Sequence, residues 1–202
     1  LADFRINSIV LKYKPEDCKY IKTLKYSDEV EWIVTNPRRA AFIKDLTLTL
    51  KGNTLVLYNF VEKHGIPMHK MIEDAAEEGR KVFFVSGNVK ADMREEIRHT
   101  TEKESNAIIV ASYGTFSTGI NIRNLHNVVF TSPSKSRIRN LQSIGRGLRK
   151  GNGKTSAVLY DIADDLRYKT YMNFAIRHFY ERINIYNEEK FEFKINEVNL
   201  YD

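Results

Sequence analysis

Five short stretches of the chain, residues 55–58, 82–85, 107–110, 128–130 and 157–160, are apolar at consecutive rather than alternating positions. A strand with that pattern is buried on both faces, as in a parallel sheet covered by helices. The starts of these stretches lie 27, 25, 21 and 29 residues apart, room each time for a strand, a helix and two loops. The rhythm predicts an α/β fold.

The segments between them carry helical punctuation. Residues 66–78 begin with Pro67 in a first-turn position, place Met71, Ile72, Ala75 and Ala76 on one face, and stop at Gly79. Residues 90–103 are heavily charged, with Met93 and Ile97 as a thin apolar stripe. Residues 136–149 form a third helix candidate, interrupted by Gly145 and Gly147, each of which costs roughly 1 kcal/mol relative to Ala in a helix interior. Before the first sheet strand, residues 6–11 predict a strand and residues 27–51 predict helix with a break near Asn36-Pro37, because proline restricts the residue before it. After the last, Tyr168, Tyr171, Ala175, Phe179, Ile183 and Tyr186 recur at spacings of three and four, an amphipathic helix. Phe191, Phe193 and Ile195 then alternate with Glu192, Lys194 and Asn196, which predicts a half-buried edge strand. The expected organisation is one compact unit: a lead-in over residues 1–52, a core over 53–165, and a helix-plus-strand extension over 166–202.

Composition narrows the class. With 42% hydrophobic and 29% charged residues over 202 positions, the chain is neither a disordered tail nor a collagen-like repeat nor a disulfide scaffold. No apolar run approaches the roughly 18 residues of a membrane span, and the lone Cys18 has no internal disulfide partner, so a cytoplasmic compartment is expected. A start at Leu1 instead of methionine leads us to expect a fragment of a longer protein.

The net charge of +6 is unevenly spread. Residues 105–160 contain no Asp or Glu but eight bases: Arg123, Lys135, Arg137, Arg139, Arg146, Arg149, Lys150 and Lys154. Such a field suits polyphosphates, whether nucleotide or nucleic-acid backbone; a solvated basic face is the alternative. Within it, Gln142, Gly145, Arg146 and Arg149 give the sharpest signal. Arginines three apart on a helix point the same way, a guanidinium fork matches phosphate oxygens, and glycines admit close backbone approach.

The pattern Gln-x-x-Gly-Arg-x-x-Arg resembles motif VI of superfamily 2 helicases, on the second RecA-like lobe, the one without the P-loop. The stretch from Ala111 through Ser112, Thr118, Gly119 and Asn121 to Ile122 is similar to motif V, with Asn121 where many relatives carry Asp. Residues 55–58 with His64-Gly65 resemble motif IV, and Val85-Ser86-Gly87 followed by the charged 93–97 segment resembles the family's strand, glycine turn and helix. The four stand in the family's order over residues 54–160. The wording of motifs V and VI is similar to that of recombination and repair helicases.

The resemblance implies a RecA-like parallel sheet flanked by helices, in the C-terminal lobe of an ATP-dependent DNA helicase that unwinds, anneals or branch-migrates DNA. It implies Arg146 and Arg149 as arginine fingers, with Gln142 near the γ-phosphate and Gly119, Asn121 and Gly145 close to the nucleotide. An arginine finger supplies a factor of roughly 10³ to 10⁵ in phosphoryl transfer. ATP with magnesium would be held mainly by a first RecA-like lobe of the same parent, absent here. An asparagine cannot act as a base, so Asn121 is left a hydrogen-bonding role. Branched or single-stranded DNA would be gripped by its backbone, irrespective of sequence, through Ser112, Ser86, Gly87, His64 and Gly65, which follow strand ends where ligands of open α/β sheets collect; for each, a plain turn is the alternative.

Gly151 to Thr155 superficially resembles a P-loop, but the required first glycine is Leu148 and a strand, not a helix, is predicted to follow, so a hairpin-like turn is expected. There is no Asp-Glu-Ala-Asp-type sequence, and the five histidines show no metal spacing, so no metal site is expected and the chain alone should not hydrolyse ATP. Two rivals remain: a double-strand DNA translocase motor, and a non-enzymatic nucleic-acid-binding module.

Overall fold

The computed structural model describes residues 4–87, 90–116, 124–132 and 157–202. In chain order the elements are β1 (Phe4–Lys12), α1 (Pro15–Ile21), α2 (Tyr26–Thr35), α3 (Pro37–Thr49), β2 (Thr54–Tyr58), a π-helical turn (Val61–Gly65), α4 (Ile66–Ala75), β3 (Val82–Val85), α5 (Lys90–Lys103), β4 (Ile108–Ser112), a 3-10 turn (Tyr113–Phe116), β5 (Asn127–Phe130), β6 (Ala157–Asp165), α6 (Phe174–Glu188) and β7 (Glu192–Asn199). The seven strands form one sheet in the order β3-β4-β2-β5-β6-β1-β7, every pair parallel.

The consecutive apolar runs do what two-sided burial requires. One face of the sheet sends Leu55, Leu57, Ile109, Val128, Phe130 and Leu159 against Met93 and Ile97 of α5 and Tyr186 of α6. The other sends Val56, Tyr58, Ile108, Val110 and Val129 against Ile33, Ile43, Met68 and Ile72 of α2, α3 and α4. The result is a three-layer α/β/α sandwich. Asn36 ends α2 and caps α3, its side chain accepting the Arg39 amide at 3.0 Å, where the Asn-Pro break was expected.

Several expectations need correction. Helix α4 stops at Ala75 and buries Met68 and Ile72, while Ala75 is exposed. Strand β3 lies at the sheet edge and is only partly covered, unlike the fully buried β2 and β5. Tyr168 and Tyr171 precede α6 and bridge each other across a tight turn, because the helix starts only at Phe174. Strand β7 does close the sheet at its other edge, but it is mostly exposed, with Ile195 at 47%. The helix expected over 136–149 and the turn at 151–155 lie outside the described residues.

The amino edge of the sheet is tied off by one buried amide. Asn53 donates from Nδ2 to the carbonyls of Glu104 (2.7 Å) and Asn124 (2.9 Å), and its Oδ1 accepts the Ala107 amide at 2.9 Å. Before it, Gly52 at φ 91° passes so close to His126 that a Cβ would lie 2.7 Å from the ring. Among the described residues no helix is long and apolar enough to cross a membrane.

Candidate nucleic-acid interface

Register puts the strand-end residues in one row. Tyr58 pairs with Ser112 across β2 and β4, and Val85 pairs with Ala111 across β3 and β4, so Ser86 comes level with Ser112 on the next strand. Neighbouring strands lie about 4.8 Å apart, so the two serines stand side by side at the carboxyl edge. Ser86 and Gly87 are exposed. A Cβ on Gly87 would meet Met93 at an ordinary 3.6 Å, so space alone does not demand glycine there. Ser112 is half-buried, and its hydroxyl accepts the Gly114 amide at 3.2 Å, starting the 3-10 turn.

The β2 exit is built differently. After Tyr58 the chain enters the π-helical turn, a conformation that recurs at functional sites. Gly65 packs flat on the Tyr58 ring: a Cβ there would sit 2.7 Å from it, so the close approach excludes any side chain. Tyr58 stacks on Phe84 with ring centroids 5.7 Å apart, and burial pushes its hydroxyl pKa up to about 12.

His64 is 2% exposed. The Asn59 amide donates to Ser132 Oγ at 3.1 Å, which leaves the Ser132 hydroxyl proton for His64 Nδ1 at 3.0 Å. Burial, aided by the nearby Arg39 guanidinium, pushes the His64 pKa down to about 3, so the ring is neutral with its proton on Nε2. Among the described residues that Nε2 has no partner. His64 therefore links the exits of β2 and β5 from inside, and its exposed neighbours Phe60, Val61, Glu62 and Lys63 form the outer surface of the turn.

Behind this edge lies a buried polar network that sequence reasoning missed. Arg39, 1% exposed, grips Asp164 through Nε at 2.8 Å and Nη2 at 3.1 Å, and Nη2 also donates to the Thr131 carbonyl at 2.5 Å. Tyr13 donates to the same carboxylate at 2.6 Å, and Thr131 donates to the Leu57 carbonyl at 2.5 Å. The network ties α3 and β6 to the ends of β5 and β2. A signal existed: Asp161, Asp164 and Asp165 are charged residues in a strand otherwise buried, and Arg39 shares the inward helical stripe of Ile43 and Thr47.

Of the expected nucleotide-side residues, Gly119, Asn121, Gln142, Gly145, Arg146 and Arg149 lie outside the described residues. Their segments leave from the carboxyl edge, after Phe116 behind β4 and after Ser132 behind β5. Among the described residues no group of three His, Cys, Asp or Glu side chains could hold a metal ion.

The chain is similar to known proteins throughout. It is 35% identical over 213 residues to the ATP-dependent DNA helicase uvsW of Enterobacteria phage T4, covering 99% of this chain and 42% of that protein. The crystal structure of T4 UvsW superposes with a TM-score of 0.84 at 34% identity, over 98% of this chain and 42% of that one. The C-terminal domain of the DEAD-box protein Dbp5 shares the fold alone, at TM-score 0.55 and 11% identity, over 100% of this chain and 92% of that one. This chain thus spans about two fifths of the phage helicase. A parallel α/β/α sandwich, together with a match of residues 38–151 to the helicase conserved C-terminal domain, identifies the chain as a member of that family.

Proposed function

We propose that this chain is the second motor lobe of an ATP-dependent DNA helicase acting in recombination or repair, on branched or single-stranded DNA without regard to sequence. The observation that carries the reading is the level row of Ser86 and Ser112 on adjacent parallel strands, at the edge from which both motif-bearing segments depart. In this reading Ser86, Gly87 and Ser112 meet the sugar-phosphate backbone with hydroxyls and amides, which carry no sequence information. His64 and Gly65 set the shape of the β2 exit.

ATP with magnesium would be held mainly by the first lobe, and its hydrolysis, the γ-phosphoryl group passing to water, would supply the energy for motion. Arg146 and Arg149 would stabilise charge on the phosphoryl oxygens, Gln142 would hydrogen-bond near the γ-phosphate, and Gly119, Asn121 and Gly145 would serve the nucleotide side. Because the fingers and the phosphate cradle sit on different lobes, closure and hydrolysis are coupled.

The test is Arg146→Ala and Arg149→Ala in the two-lobe enzyme. Each should lower ATP turnover by a factor on the order of 10³ while DNA affinity stays within about twofold, since the lost contact belongs to the transition state. Lysine should rescue poorly, lacking the planar fork. Normal turnover in either alanine variant would remove that residue from the role.

A further inference from the structure

The other half of the carboxyl edge carries a second cluster of cations that the motifs do not touch. It lies where β6, β1 and β7 end, four strand positions from β4 in the sheet order, or about 19 Å at 4.8 Å per strand. Two tyrosines organise it. The ring of Tyr201 has Lys14 Nζ and the Arg38 guanidinium each 4.5 Å from its centroid. The ring of Tyr168 has Lys169 at 5.3 Å and Lys22 at 5.9 Å. Beside Tyr168 a depression of about 340 Å³ is lined by Lys12, Arg167 and Lys169 around Asp165, with Tyr13, Pro15 and Cys18.

Two carboxylates of this region have close partners, and a third, the exposed Glu197, lies 3.9 Å from Lys12. Asp165 accepts from Lys12 at 2.5 Å and from Arg167 at 2.7 Å, and Asp17 accepts the Tyr201 hydroxyl at 2.9 Å. Among the described residues, Lys14, Lys22, Arg38 and Lys169 have no carboxylate within ion-pair distance, and all four are exposed. Lys169 also occupies a left-handed conformation, φ 52°, which glycine or asparagine would take with less strain. The two-residue turn between the bridged Tyr168 and Tyr171 requires that conformation at its first position, and so fixes where the Lys169 cation stands.

We infer that this surface is a second nucleic-acid site, one that takes the phosphate backbone of a DNA duplex arm. Four unpaired cations, two on each of two aromatic plates, form a preordered set of phosphate contacts. A single strand is held by stacking its bases on open aromatic faces, and here both rings carry cations instead. The surface therefore fits a backbone whose bases are paired. Its distance from the Ser86–Ser112 row lets one lobe hold a tracked strand and a duplex arm together, as a branched substrate presents them. The inference rests on the DNA-binding reading above, and its test separates the two.

The variant is Lys14→Gln/Lys22→Gln/Lys169→Gln, which removes three charges and keeps polar side chains; a version with Arg38→Gln added checks the fourth cation, whose Nη1 also donates to the Leu200 carbonyl at 3.1 Å. Fluorescence anisotropy of a labelled 20-base-pair duplex and of a labelled single strand is followed across a salt series, with melting temperature as the folding control. We expect the triple variant to lose roughly tenfold or more in duplex affinity, with a log-log salt slope shallower by about 2.7, at about 0.9 per phosphate for B-DNA. Single-strand affinity should stay within about twofold.

An unchanged duplex affinity and slope would overturn the site. Equal losses for duplex and single strand would also overturn it, since the patch would then belong to the strand track. If poly-glutamate displaced the duplex at matched charge, the surface would be a dock for acidic protein, and the assignment to DNA would fall. A wild-type chain that holds single strands but no duplex refutes the second site and leaves the motor reading standing; one that binds neither refutes both.

Discussion

At the scale of single residues, the interior of this lobe is held by charge as well as by packing. Arg39 and Asp164 are both buried, so truncating one leaves the other without compensation, a loss of about 3–5 kcal/mol. Arg39→Met should therefore destabilise strongly in urea, and adding Asp164→Leu should recover part of the loss. Recovery stays partial because the Tyr13 hydroxyl and the Thr131 carbonyl lose a partner. Additive costs in that double-mutant cycle would mean the pair does not act as a unit. His64 gives a pH signature. Its folded pKa of about 3 lies below the ordinary histidine value of about 6.5, so between these limits the unfolded chain binds the extra proton and stability falls as pH falls. Wild-type stability minus that of His64→Asn should shrink by up to about 1.4 kcal/mol per pH unit between pH 6 and 4, measured by urea unfolding. A difference independent of pH would mean that His64 titrates as in the open chain. Spacing and glycines single out the arginines at 146 and 149 in the sequence, and both lie outside the described residues; nothing singles out Arg39, because a lone arginine on a helix reads as solvated until its partner, 125 residues away, is known.

At the scale of elements, the strands were readable because burial on both faces leaves continuous apolar runs, and α5 matched its expected limits because Met93 and Ile97 mark its inward stripe. The order of strands was not readable. Nothing local in residues 6–11 says that β1 inserts between β6 and β7, since those pairings join residues 153 and 187 positions apart. Helix α1 was missed for a related reason: seven residues leave too short a stripe, and only Cys18 and Ile21 turn inward. The start of α6 was misread because its cap comes from elsewhere in the chain. Glu29, on α2, accepts the amides of Phe174 at 3.0 Å and Ala175 at 2.8 Å, and Asn173 Nδ2 at 3.3 Å, so three donors at one helix start depend on a buried carboxylate. Glu29→Ala should cost about 1–3 kcal/mol, the penalty of leaving buried donors unmet. Hydrogen exchange should localise it: the Phe174 and Ala175 amides lose protection while β2 and β4 amides shift only with global stability. Uniform loss across all of these amides would show that Glu29 supports the sandwich generally and not this helix start.

At the scale of the whole molecule, the open α/β rule places ligands at the carboxyl ends of the strands, and the proposed function sets the nucleic-acid contacts there. A motor divides its grip between two lobes, so one lobe by itself should bind single-stranded DNA only modestly and with little regard to sequence. The basic segment over residues 105–160 is expected to neutralise two or three phosphates, while the hydroxyls and amides of Ser86, Gly87 and Ser112 position the backbone without neutralising charge. At about −0.7 per phosphate on a single strand, the log-log dependence of affinity on salt should have a slope of roughly −1.5 to −2. Ser112→Asp places a carboxylate where a phosphate is expected, so it should weaken single-strand binding by an order of magnitude or so and leave the melting temperature nearly unchanged, because Ser112 is only half-buried and aspartate can still accept the Gly114 amide. Anisotropy of a labelled oligonucleotide across a salt series reads both effects in one experiment. Binding indifferent to salt and to Ser112→Asp would remove the strand-end row from the DNA track while leaving the family, which rests on the chain as a whole, untouched.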